Sequence, residues 1–532
     1  MPEAGAELDA LADELYAVWL RYHPDLAQAV GLRPTRGWLP PLDDDDLAAL
    51  CSWLESAILG LDEIDFEALD PDRQVDFELM LGAARVEHAE LLDPDWRRRD
   101  PGRFLPVAEI YRLTLDPPET LRAPLAELLA AIPERLRHAQ ALLRAQSAQL
   151  APLLVRAAAR EAERGRCYLR DLIRAPWLQE RCAGVSELET LAESARTALA
   201  GYRDFLSDDL VPRARGALGG GVARLRRRLR YLHFMDADPA ALAAALTRAL
   251  RETEAALESL PERAEPPPGD LSYPRVERLA LHRRIGEALA RELEASALAT
   301  LPRAPLRVAA APPCPWHGAR EAVYLAGTES ATLFIPALVP PETGETLAQV
   351  RERCLSDGWC GSHLLFWSAP QQARRLVRRV ANGTSLGAAW TLDLSVRLAE
   401  RAGDPARLRD ALVRRRERLQ LARLDLDLHG AGIAGEAALE RAQSLGLDPR
   451  SAESAVVRIA LAPGDALAGA LGLSLLQAAR ARAAGLDARA FNDRLLSQGP
   501  IPLPLAIARA FGEARLEQSW AAVLGDAGAR PL

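Results

Sequence analysis

The sequence contains no lysine; all 66 of its Lys-or-Arg positions are arginine. Two readings of that absence stand: the base composition of the encoding genome, or a demand for planar, bidentate donors that an ammonium cannot supply. Aromatic residues are scarce at 5%, while Ala, Leu, Arg and Glu dominate, a balance that favours helix over sheet. Six cysteines are scattered without paired spacing, which argues against a disulfide framework and for a reducing, cytoplasmic compartment. No run reads as a membrane span. The acidic, amphipathic start MPEAGAELDALADELY lacks the basic region and apolar core of a signal peptide. There is no surplus of positive charge either: a formal net charge of -8 and a pI near 5.7 argue against a general nucleic-acid binder. No repeat of fixed period is present.

What is present is an ordinary soluble composition, 49% hydrophobic and 26% charged over 532 residues, long enough for two lobes that fold without staples. Residues 5–22 read as an amphipathic helix with Leu8, Leu11, Leu15, Trp19 and Leu20 near one face. The run Asp43 to Asp46 reads as a negatively charged helix start; a calcium loop would need interleaved oxygen ligands and a turn glycine. Asp70 and Pro71 suit an N-cap and first helical position, opening a helix to Leu92. Further helices are expected at about 117–131, 133–150, 152–175 and 186–208, with Pro133 opening the second of these. Gly219-Gly220-Gly221 follows no strand and lacks a GxxxxGK pattern, so a phosphate loop is not indicated. The basic cluster Arg224 to Arg230 is interleaved with leucines, as on the solvated face of an amphipathic helix. Glu265-Pro266-Pro267-Pro268-Gly269 is the clearest internal break. Beyond residue 300, Leu306 to Ala309, Ala322 to Leu325 and Thr332 to Ile335 are β-prone runs that read as a small sheet.

The stretch Arg353-Cys-Leu-Ser-Asp-Gly-Trp-Cys-Gly-Ser-His-Leu-Leu365 organises the rest. Leu347, Val350, Cys354 and Leu355 recur at helical spacing before it, and Asp357-Gly358 ends or distorts that helix. Together with Gly387-Ala388-Ala389-Trp390-Thr391-Leu392, Tyr22-His23-Pro24-Asp25 and Pro463-Gly464-Asp465-Ala466-Leu467, this stretch resembles the bacterial "domain of unknown function 885" family, whose members resemble helical zinc metallopeptidases. In that family a helix ends HExxxGHH and a second carries an EGWxxY-like segment. The resemblance places Ser356 at the first histidine, Asp357 at the glutamate, Ser362 and His363 at the adjacent histidine pair, and Ala388 at the downstream carboxylate. It leaves open which of that pair would face a metal. A catalytic zinc needs three nitrogen, sulfur or carboxylate ligands plus a position for water; serine and alanine do not provide them. Asp357 also shortens the implied general base by a methylene, when such a base must reach within about 3 Å of its proton.

Other family-like residues persist. Asp425 and His429 lie four apart on one helix face, so the carboxylate is placed to orient the imidazole; an exposed or capping pair before Gly430 is the alternative. Arg458 precedes a segment resembling the family's RY...PGQAL, with Ile459 for its tyrosine and Asp465 for its glutamine, and it either binds a carboxylate or joins two helices. A later tyrosine and lysine fall at Gly469 and Ala470. Asn492 stands where a histidine is common. A rebuilt metal site would draw on Cys354, Cys360 and His363, or on the CxxH pair Cys314 and His317; buried, inert cysteines are the other reading. Cys360 with His363 as nucleophile and base is a further one. The edge of the small sheet, with Tyr324, is implied by the resemblance to hold an extended peptide.

These observations lead to one expectation: a mainly α-helical, zincin-like, two-lobed fold with a small β-sheet beside a central groove, the lobes spanning 1–300 and 301–532. The expected function is a catalytically degenerate, cytoplasmic metallopeptidase-like protein with no cofactor. It would bind a peptide or protein in the remnant groove through Tyr324, Asp425, His429 and Arg458, or pair with an intact paralogue, and would have no nucleic-acid or membrane partner. The alternative is an active hydrolase with zinc or another altered site.

Overall fold

Local capping chemistry starts the helices. Asp70 accepts hydrogen bonds from the backbone N–H groups of Asp72 and Arg73, and Pro71 takes the first turn, so a helix runs Pro71–Leu91. Thr346 and Gln349 form a reciprocal capping box that starts the helix Leu347–Ser356. The computed structural model describes residues 2–29, 32, 38–93, 99–115, 117–182, 185–261, 275–311, 323–327, 329–335, 346–369, 375–483 and 485–525. The Pro-rich segment Glu265 to Gly269 and the pair Cys314 and His317 lie outside them.

Among the described residues the chain is mainly helical, with one small sheet. The first helix is Pro2–Tyr22 and the acidic run opens Asp44–Glu63. The expected boundary at Pro133 is not there: one helix runs Arg122–Arg144 with Pro133 inside it. An interior proline costs about 3 kcal/mol. Against that, Leu125, Leu128, Leu129, Ile132, Leu136, Ala139 and Leu143 form an unbroken buried stripe across the proline. Each fully buried leucine returns roughly 2 kcal/mol, so the stripe decides the outcome. The basic segment forms the helix Val222–Leu232. Its Leu225 and Leu229 are buried, Arg226 pairs with Asp238 at the surface, and Arg224 and Arg228 turn inward to Glu90.

The sheet comprises β1 (Leu306–Ala310), β2 (Val323–Ala326) and β3 (Ala331–Ile335), in the order β1-β3-β2. β1 runs parallel to β3, with Val308 opposite Leu333, and β2 runs antiparallel to β3, with Tyr324 opposite Leu333. Among the described residues both β1 and β2 are therefore edge strands. The largest apolar core gathers Leu8 to Met80, Leu225 to Ala299 and Val350 to Val523 around Trp390, so it takes residues from both sides of residue 300. A second core fills the bundle of helices between Phe104 and Ala214.

A buried ionic clamp ties the first part of that large core to the last. Asp76 is paired with both Arg375 and Arg378, and Arg378 also donates to the Asp72 carbonyl at 2.8 Å. Asp76 and Arg378 are 2% and 1% exposed, so removing one partner strands a charge in the interior. Asp76→Ala is expected to lower unfolding free energy by about 3–5 kcal/mol in urea titrations, whereas the exposed pair Arg226–Asp238 should contribute under about 1 kcal/mol.

Candidate functional site

The organising stretch forms a helix–turn–helix unit. The helix Leu347–Ser356 stops at Asp357, and a second helix, Ser362–Trp367, begins after Gly361. The turn is tight: a Cβ on Gly361 would sit 1.8 Å from the Ser356 carbonyl oxygen, so no other residue fits without a shift. Within it the polar side chains bond to backbone. Ser356 Oγ donates to the Glu352 carbonyl (2.9 Å) and Ser362 Oγ to the Ser356 carbonyl (3.4 Å). Asp357 is the half-buried C-cap, its N–H bonded to the Arg353 carbonyl at 2.9 Å.

His363 has no exposed surface. Its Nε2 lies 2.8 Å from the Ala304 carbonyl, which can only accept, so that nitrogen carries the proton. Nδ1 then accepts from the Tyr324 hydroxyl at 3.0 Å, and that hydroxyl accepts from Trp367 Nε1 at 3.1 Å. Trp359 closes the ring in edge-on at 4.7 Å. Burial depresses the imidazole to about 4, the Ala304 carbonyl opposing only in part, and raises the Tyr324 phenol. His363 is thus a neutral ring with both nitrogens engaged.

Ala388 stands on the helix Thr384–Ala402, which packs on the organising stretch through Trp390, whose indole N–H donates to the Cys360 carbonyl at 2.7 Å. Its neighbour across the interface is Gly469, where an added Cβ would meet the Ala388 Cβ at 3.0 Å. The two helices close against each other where the resemblance puts a glutamate and a tyrosine. The residues therefore do not fit a catalytic zinc: hydroxyl and methyl groups occupy two ligand positions, and a metal at His363 would have to displace a carbonyl or a phenol. Cys354 and Cys360 are turned to other partners or deeply buried. Cys354 Sγ donates to the His282 carbonyl (3.3 Å), and burial pushes the Cys360 thiol far up.

Asp425 and His429 are also fully buried. The Asp425 carboxylate accepts from Gly464 N–H (3.0 Å) and Leu467 N–H (3.2 Å), capping the helix Asp465–Ala481, while burial lifts it to about 7 despite those donors. His429 Nδ1 accepts from Gly220 N–H (2.8 Å), and Nε2 donates to the Ile459 carbonyl (2.9 Å); Asp425 stays 3.8 Å from that nitrogen. The glycine run serves this contact, since a Cβ on Gly219 would meet the Leu428 carbonyl oxygen at 2.2 Å. Arg458 is exposed. Asn492 is buried between Arg480 (3.0 Å) and the Leu298 carbonyl (2.8 Å).

Cavities open beside the turn and among the N-terminal helices. One, of about 170 Å³, is lined by β1 (Leu306, Arg307, Val308), by His282, Arg283 and Glu287 of the helix Arg275–Ala295, and by Gly358 and Trp359 of the turn. Arg283 reaches the outer edge of β1, donating to the Val308 carbonyl at 2.9 Å. The other, of about 210 Å³, lies between the N-terminal helices and residues 377–382 and holds Trp19, His23, Glu87, Glu90, Arg103 and Arg228. There Glu87 accepts from Trp19 Nε1 and pairs with His23 at 2.7 Å. Burial works against its charge, but His23, Trp19 and Arg103 together hold it below the usual range. Arg283 and Glu87 were not singled out by the sequence, since each acts through a partner in a separate element.

Residues 24–508 match the family described as "Bacterial protein of unknown function (DUF885)". The chain belongs to that family. No curated protein matches it. Among solved structures this DUF885 member is similar to "the putative lipoprotein from Colwellia psychrerythraea" (TM-score 0.76, 15% identity, 95% of this chain and 98% of that one). It is also similar to "a putative lipoprotein of unknown function from Shewanella oneidensis" (TM-score 0.70, 12% identity, 94% and 98%). At such identities the likeness extends to the fold. No described single helix is long and apolar enough to cross a membrane.

The depressed pKa of His363 has a signed consequence. Its folded value, about 4, lies below its ordinary 6.5, so the unfolded chain binds more protons between those pH values. The stabilisation is complete above pH 6.5 and is lost as pH falls towards 4. His363→Gln, which keeps one donor and one acceptor, should lose less unfolding free energy in urea titrations between pH 7 and pH 4.5 than the wild type. The difference should be on the order of 2–3 kcal/mol.

Proposed function

We propose that this DUF885 member is a catalytically degenerate metallopeptidase-like protein, a zincin-like pseudoenzyme whose remnant groove binds an extended peptide or protein segment. The observation that carries this reading is His363: the one imidazole at the motif has a carbonyl on one nitrogen and a phenol on the other. The closed contact of Ala388 with Gly469 supports it, because the implied carboxylate position has become part of a helix interface.

The groove in this reading is the 170 Å³ cavity beside β1, between the two proposed lobes. An edge strand offers unpaired backbone groups to an extended segment. Trp359 gives an apolar wall, and Arg283, held at one amino group by the Val308 carbonyl, keeps further N–H groups for a carboxylate. The occupant is accordingly an extended segment with an apolar side chain and an acidic group, from a protein partner or an intact paralogue. A reducing, cytoplasmic setting agrees with five described cysteines that are all thiols.

Fluorescence polarisation with a library of acidic-apolar peptides tests this. Binding should weaken roughly tenfold or more in Trp359→Ala and in Arg283→Gln, with no peptide cleaved. Stoichiometric zinc together with turnover, both abolished by His363→Gln, would overturn it.

A further inference from the structure

We propose that Cys51, Glu55 and His88 form a site for a borderline divalent cation of the zinc type, bridging the helices Asp44–Glu63 and Pro71–Leu91. One donor atom from each residue, a thiol sulfur, a carboxylate oxygen and an imidazole nitrogen, lies within 4.8 Å of the other two. Glu55 Oε1 and His88 Nε2 are already 3.0 Å apart. Cys51 and Glu55 share one face of their helix at i, i+4, and His88 comes from the last turn of the neighbouring helix.

The donor set selects the metal. Sulfur, nitrogen and oxygen together suit zinc or cobalt, with three protein ligands and a fourth position for water. Calcium and magnesium want oxygen throughout. Tetrahedral zinc holds its donors about 3.5 Å apart, and Glu55, whose side chain is 56% exposed, has room to change rotamer.

A free thiol carries its proton at neutral pH. A divalent cation takes the place of that proton: thiolate and carboxylate together cancel its two charges, and one proton leaves. Binding therefore strengthens as pH rises. The bound ion would join two helices now held here by a carboxylate–imidazole contact at the surface.

Cobalt(II) titration of chelator-treated full-length protein tests the site. One equivalent should give a thiolate-to-cobalt absorption band that zinc displaces. Cys51→Ser should lose the band, and Glu55→Gln and His88→Gln should bind cobalt roughly tenfold or more weakly. Zinc should raise the melting temperature of the wild type and not of Cys51→Ser. Glu55→Gln, at an exposed position, keeps the test open if Cys51→Ser does not fold. A wild type without the band, a band that survives in Cys51→Ser, or unchanged affinity in both other variants would overturn the proposal.

Discussion

The ring of His363 joins three parts of the molecule at once. Its helix supplies the imidazole, the segment entering β1 supplies the Ala304 carbonyl, and β2 supplies the Tyr324 hydroxyl, itself held by Trp367. Hydrogen bonds of this kind contribute about 1 kcal/mol each when made and cost more when a buried partner is orphaned. The network therefore fixes the sheet against the turn more by the penalty of breaking it than by the gain of forming it. It also fixes the tautomer. Of the two neutral tautomers, the one with its proton on Nε2 satisfies both neighbours, and burial keeps the ring neutral over most of the pH scale.

His429 repeats the arrangement elsewhere, accepting from Gly220 N–H and donating to the Ile459 carbonyl. In both places a residue type associated with proton transfer or metal binding is used to join backbone segments. Asp425 does the same with a carboxylate, and Asn492 with an amide. The polar interior around the motif is thus closed on itself, with one cavity beside β1 and another between the N-terminal helices and residues 377–382.

Much of the fold was legible in the sequence because its signals are local. The cap at Asp70, the break at Asp357-Gly358 and the three β-prone runs all lie where short-range chemistry places them. Pro133 misled for the opposite reason: a buried stripe made by distant helices overrides a local breaker. The site was legible only in part. The motif stretch marks His363, but its partners lie 59 and 39 residues away, and nothing in spacing joins Arg283 to Val308 or Glu55 to His88. Such pairings arise from the way elements pack, which periodicity does not encode.

The helices Pro449–Leu461 and Asp465–Ala481 meet at 88°, and each end at that corner is held from one neighbouring turn. His429 grips the outgoing carbonyl of Ile459, while Asp425 grips the incoming amides of Gly464 and Leu467. The corner is thereby pinned on both arms by groups from a single turn, and the same pins set the approach of the Gly469 seam to Ala388.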